Sequence, residues 1–123
     1  MSHRQRKWRV VHYERESGEC PVREFLDSLG MKERAKVLAA VDLLEEEGPN
    51  LHRPYADYLR DGIHELRIRV SRVRYRILYF FWNRCDIVLT HGITKKTGRV
   101  PETEIDRAVQ CREDWLRRHD EDA

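Results

Sequence analysis

The segment that most constrains the fold runs from residue 63 to residue 82, IHELRIRVSRVRYRILYFFW. In its first part Leu66, Ile68 and Val70 alternate with Glu65, Arg67 and Arg69. After a break at SRV, Tyr75, Ile77, Tyr79 and Phe81 stand opposite Arg74 and Arg76. A period of two belongs to strands, because successive side chains point to opposite faces, whereas a helix would mix the two sets. The chain is therefore committed to a hairpin with one apolar face and one face bearing arginines. If the strands pair in antiparallel register, Arg67, Arg69, Arg74 and Arg76 crowd onto one surface, where like charges repel and add nothing to folding. Guanidinium groups bind phosphate bidentately and keep their charge when crowded, so an RNA or DNA backbone is a natural ligand. The competing reading is a solvated edge with salt bridges to Glu65 and to acidic helices.

The flanking sequence gives the hairpin something to pack against. KWRVVHYER (7–15) reads as an opening strand that ends at ESGE. VREFLDSL then has helical spacing, with Pro21 at its start and Gly30 at its end. Residues 31–47 form a second helix whose stripe is read as Ala35, Leu38, Val41 and Leu43/Leu44, stopped by GPN. Residues 51–62 show no clean period and read as a loop with a turn at Asp61-Gly62. IVLTHGI (87–93) supplies a third strand, completing a meander. A closing helix over about 101–118 presents Ile105, Ala108, Val109, Arg112, Trp115 and Leu116 on one side. The expected fold is α+β: one domain over residues 1–123, with flexible ends at 1–6 and 119–123. An antiparallel sheet, made of the N-terminal strand and the three-stranded meander, packs against an N-terminal helical hairpin and a C-terminal helix.

Charge matters here by its distribution. The net charge is only +2 although 37% of residues are charged. Arginines dominate residues 60–84, while DLLEEE and HDEDA are acidic, so one basic face for a polyanion or an acidic partner is expected. Cys20, Cys85 and Cys111 are widely spaced and never form CxxC, which argues against a disulfide framework or a zinc site and for a reducing compartment. There is no signal-peptide h-region and no apolar run long enough to span a membrane, so a cytoplasmic protein is expected. HELRI is not HExxH, because Ile68 stands where the second histidine is needed, and GITKKTG lacks phosphate-loop spacing. No cofactor is implied.

Lys95, Lys96 and Arg99 follow the third strand and extend the basic region if that strand flanks the hairpin. Of the six histidines only His64 and His91 come from the meander. His64 shares a face with Leu66 and reads as a core or rim residue, while His91 is a candidate for proton transfer. Trp8, Trp82 and Trp115 read as packing residues ahead of base-stacking ones.

Taken together, VREFLDSL, GIHELRIR, YRILYFF and IVLTHGITKKTGRVPETEIDRA, in that order from about Val22 to Arg112, resemble the RelE/ParE superfamily of bacterial toxins, and within it the phage-derived HigB-like branch. The resemblance implies a compact domain with a basic concave surface. It also implies a metal-independent endoribonuclease that cuts mRNA on the translating ribosome, using the substrate's 2′-OH and so inhibiting translation. By position, Arg67 and Arg69 match a basic pair that grips phosphate or helps proton transfer. Arg76 matches the residue that stabilises the scissile phosphate, and Lys96, with Lys95 beside it, matches a basic residue assisting the leaving group. Arg72 and Arg74 join Arg69 and Arg99 as RNA-binding candidates. GRVPETE carries no tyrosine where some members have one, leaving Lys95, Lys96 and His91 as acid–base candidates. The implied partners are a cognate helix-turn-helix antitoxin of the HigA type, the ribosome with its mRNA, and promoter DNA bound through the antitoxin complex. Two other readings are open: a ParE-like toxin that inhibits DNA gyrase, and a non-catalytic nucleic-acid-binding module.

Overall fold

A computed structural model describes residues 8–95 and 98–119. In chain order the elements are β1 (Arg9–His12), α1 (Pro21–Asp27), α2 (Met31–Glu47), a 3-10 turn (Gly48–Asn50), β2 (Ala56–Arg60), β3 (Ile63–Val70), β4 (Val73–Trp82), β5 (Asp86–Lys95) and α3 (Glu102–His119). The strands form one sheet in the order β1-β5-β4-β3-β2. The α+β class, the meander and all three helices are as expected.

Four particulars differ from expectation. The sheet is mixed, because β1 runs parallel to β5, with Arg9 opposite Asp86 and His12 opposite Leu89. Tight turns force β2 to β5 to alternate in direction, but β1 reaches the β5 edge from a distant part of the sequence and nothing imposes antiparallel pairing on it. Arg9 fixes the register through Nε and Nη2, which donate to the buried Asp86 carboxylate at 3.1 and 3.2 Å.

Second, the segment expected to be a loop contains β2, an edge strand pairing Ala56 with Leu66 and Asp57 with Glu65. A register shift between Tyr58 and Arg60 breaks its alternation, so five residues show no period. The turn at Asp61-Gly62 stands as expected, with φ of +51° and +82°, the backbone that a two-residue hairpin favours and that glycine and aspartate tolerate.

Third, α2 buries Val37, Val41 and Leu44, while Ala35 and Leu38 are exposed, Leu38 to 45%. This helix carries two overlapping apolar stripes, and packing against Leu66 and Ile68 selects the one containing Val37. Fourth, Gly30 does not close α1; it is the extended N-cap of α2, and α1 ends at Asp27 with Ser28 as its C-cap.

The core lies on both sides of the sheet. On one face α1 and α2 cover Leu66, Ile68, Tyr75, Ile77, Tyr79, Ile87 and Leu89. Gly92 lets α1 approach β5, since a Cβ there would lie 2.2 Å from the Phe25 ring. On the other face α3 lays Ile105, Ala108, Cys111 and Trp115 over Ile63, Leu78, Phe80 and Val88. Each such fully buried large side chain contributes about 1.5–3 kcal/mol. The arginine-bearing face is thus not wholly open, as alternation alone suggests. Beyond Ile77, β4 is apolar on both sides, and α3 covers that half while the half bearing Arg74 and Arg76 is left uncovered by it.

Candidate functional site

The antiparallel register of β3 and β4 sets Arg67 opposite Arg76 and Arg69 opposite Arg74, and β5 sets Lys95 opposite Arg74. Partners in an antiparallel pair share a face, so five cations from three adjacent strands gather on one surface. Three of them, Arg67, Arg74 and Arg76, line a groove floored by Glu65 and Arg76, with β2 along one side and Arg99 with the first turn of α3 along another. A second depression adjoins it, lined by Pro54, Arg67, Ile68, Arg69, Arg74 and Arg76.

These arginines are not equivalent. On the β2 side Arg53 pairs with Asp57 at 2.9 Å, and Arg60 pairs with Asp61, Glu102 and Asp106, so both are neutralised within the protein. Among the described residues no acid stands within ion-pair distance of Arg69, Arg74 or Arg99. Arg69 is exposed and its Nε donates to the Ser71 carbonyl at 3.2 Å. Arg99 is exposed at the groove rim. Arg72 lies exposed in the β3–β4 turn and does not line the groove.

Arg76 is the exception, only 3% exposed, with Nε 2.7 Å from Glu65 Oε1 and Nη1 donating to the Tyr75 carbonyl at 3.3 Å. Burial lowers its pKa from the ordinary arginine value, Glu65 opposes that shift, and Arg67 and Arg74 add to it. A guanidinium remains charged through such a shift. Arg67 Nε lies 3.7 Å from the same Glu65 oxygen. Glu65, 7% exposed, is therefore the buried acid of a groove whose other described acids, Asp57 and Glu102, lie nearer its walls and pair with Arg53 and Arg60. Sequence reasoning treated it only as a surface salt-bridge partner. The signal that marks it is positional, because Arg76 is its diagonal cross-strand neighbour, two residues from its direct partner Leu78.

The structure does not bring His91 into this cluster. It shares a cross-strand row with Leu78 but is 1% exposed beneath α3, with Nε2 3.0 Å from Glu104 Oε1 and Nδ1 3.1 Å from Thr90 Oγ1. Burial and the nearby Arg107 lower its pKa, with Glu104 partly opposing. Thr90 is the extra residue of a bulge, since Leu78 pairs with His91 but Tyr79 with Leu89, and its hydroxyl donates to the Leu78 carbonyl at 3.1 Å. Lys95 ends β5 at the edge of the arginine cluster, and Lys96 lies outside the described residues. His64 faces the other core, stacked on Tyr79 with ring centroids 5.2 Å apart. The tryptophans pack as expected: Trp8 against Phe81, and Trp82 against Trp115. Among the described residues no group of His, Cys, Asp and Glu converges as a metal site, and no helix is long and apolar enough to cross a membrane.

The arrangement suits a phosphodiester chain: unneutralised guanidinium groups at the surface, and one oriented guanidinium at the bottom. The family described as "Phage derived protein Gp49-like (DUF891)" matches residues 24–113. The chain is also 33% identical over 99 residues to "Putative toxin HigB3" of Mycobacterium tuberculosis, covering 77% of this chain and 87% of that protein. It belongs to the Gp49-like phage-derived family and is a HigB-like toxin of the toxin–antitoxin class.

Proposed function

We propose that this toxin is an endoribonuclease that cuts mRNA on the translating ribosome, with the substrate's own 2′-OH as nucleophile and no metal. The observation that carries the reading is the cross-strand pair Arg69 and Arg74, which lacks a described acid and adds repulsion without stability unless a polyanion binds there, beside Arg67 and the buried Arg76. Arg69, Arg74 and Arg99 grip flanking phosphates, and Arg67 and Arg76 face the scissile one. As the O2′–P bond forms and the 2′-OH gives up its proton, the P–O5′ bond breaks and O5′ takes a proton, leaving a 2′,3′-cyclic phosphate and a 5′-OH end; water can then open the cycle to a 3′-phosphate. Negative charge grows on the phosphoryl oxygens, and one oriented donor there contributes about 3 kcal/mol, or roughly a hundredfold in rate. With His91 shut beneath α3, proton transfer falls to Lys95 and Lys96.

Membership of a toxin–antitoxin family implies a cognate antitoxin. In this reading it is a helix-turn-helix protein of the HigA type that covers the groove or blocks access to the ribosome, and the pair binds promoter DNA. Toxin and ribosome then meet in the cytoplasm.

The test is to map mRNA 5′ ends in a bacterial cell-free translation reaction with the purified toxin, its Arg76→Ala variant and a ribosome-free control. New ends phased to codons, dependent on ribosomes and lost in the variant, are the expected result. No new ends with active ribosomes would overturn the nuclease reading and direct attention to gyrase supercoiling.

A further inference from the structure

Glu65 has no part in the steps just described, yet it is the buried anion among five cations. A fold that needed only to fill this part of the sheet would use apolar side chains, as it does at Leu78, the direct cross-strand partner of Glu65, and again at Phe80. A buried ion pair does not as a rule outdo apolar packing in stability, because both charges lose their hydration. Its geometric effect is specific. Arg76 Nε lies 2.7 Å from Glu65 Oε1 in an ion pair, and of its five N–H donors one on Nη1 donates to the Tyr75 carbonyl, so the guanidinium is held from two sides. The remaining donors belong to a side chain that lines both the groove and the adjoining depression.

We propose that Glu65 is the positioning residue of the groove, holding Arg76 through their buried ion pair so that the far edge of its guanidinium meets a phosphate. The role rests on the nuclease reading only in what the phosphate belongs to. The orientation of Arg76 toward an RNA backbone stands or falls by itself. Glu65 does not touch the reacting atoms; it acts through Arg76.

Binding of a short 2′-O-methyl oligoribonucleotide, which lacks the nucleophile and is not cut, measures this apart from chemistry. The proteins are the wild type, Arg76→Ala, Glu65→Ala and the double variant. Arg76→Ala should weaken binding roughly tenfold in the wild-type background and by less than about twofold when Glu65 is already alanine, because an unheld arginine no longer delivers its bond. Equal losses in both backgrounds, or no loss in the wild type, would overturn the proposal. Glu65→Gln guards against simple unfolding, since it keeps the side chain's size and an oxygen beside Nε; it should retain the full tenfold dependence on Arg76. A Glu65→Gln protein that is folded by circular dichroism but has lost that dependence also overturns it. Cleavage in the ribosome assay is scored separately. Coupled binding without cleavage by the wild type removes the nuclease reading and leaves Glu65 in its role, whereas cleavage with uncoupled binding does the reverse.

Discussion

One face of a single sheet is built in two ways. Under α3, Leu78, Phe80 and Val88 meet Ile105, Ala108 and Trp115, and the polar His91 is closed off by Glu104 and Thr90. Along the same strands, beyond the row that joins Glu65, Leu78 and His91, Arg67, Arg69 and Arg74 gather where the described helix does not reach. Each half contains a polar pair: Glu65 with Arg76, both buried, and the buried His91 with the half-buried Glu104. The sealed half converts burial into stability. The open half holds exposed charges whose mutual repulsion costs stability, and in the proposed function a bound RNA offsets that cost.

The comparison breaks most visibly if the sealed half is emptied. Phe80→Ala should lower unfolding free energy in urea by about 3–5 kcal/mol, through lost transfer energy and the cavity left behind. RNA affinity of the fraction that stays folded should not change. An equal loss of affinity would mean that the halves are not separable.

Arg76→Ala comes next and touches both terms. It removes an oriented donor, so ribosome-dependent cleavage should fall about a hundredfold. It also strands a buried carboxylate, which costs on the order of 3 kcal/mol in stability. Arg76→Lys, measured beside it, should recover stability more than rate, because a lysine cannot reproduce the planar fork.

Arg69→Ala and Arg74→Ala sharpen the contrast from the open side. Each should leave the midpoint of unfolding within about 0.5 kcal/mol of wild type. Each should also weaken single-stranded RNA binding across sequences and reduce the slope of log affinity against log salt by about one. A pronounced loss of stability would return these residues to the solvated-edge reading.

The smallest effect concerns pH. Folding lowers the pKa of His91 through burial and Arg107, with Glu104 from α3 opposing and Arg15 adding slightly. The folded state therefore favours the neutral ring. Stability from this group is complete above the unfolded value of about 6.5 and is lost as pH falls from there toward the lower folded value. His12 and His64 are shifted in the same direction by burial. Urea titrations of wild type and His91→Gln between pH 7.5 and 5 should show a shallower acid loss in the variant, with His12 and His64 supplying what is left. Identical slopes would show that His91 is not held neutral.

Some of this was legible without coordinates. The period-two segments named β3 and β4 and the arginines that share a face, because strand pleating leaves side chains no other option. Asp61-Gly62 and Gly48 marked the chain reversals through backbone conformations that few residues accept. The motif order named the family. Other features were out of reach for definite reasons: β2 is short and shifted in register, α2 carries two stripes of similar quality, and the direction of β1 follows from a long connection with no turn to constrain it.

By itself, then, the sequence determined the meander, the helices and the existence of a basic face, since local periodicity and turn chemistry carry that information residue by residue. Only the tertiary structure decided that α3 covers half of that face, that His91 falls beneath it while Lys95 stays at the open edge, and that Glu65 lies 2.7 Å from Arg76 at the floor of the groove. Those outcomes depend on which strands become neighbours and where a helix docks across them. Docking is a sum over many weak contacts between distant residues, which no local pattern encodes.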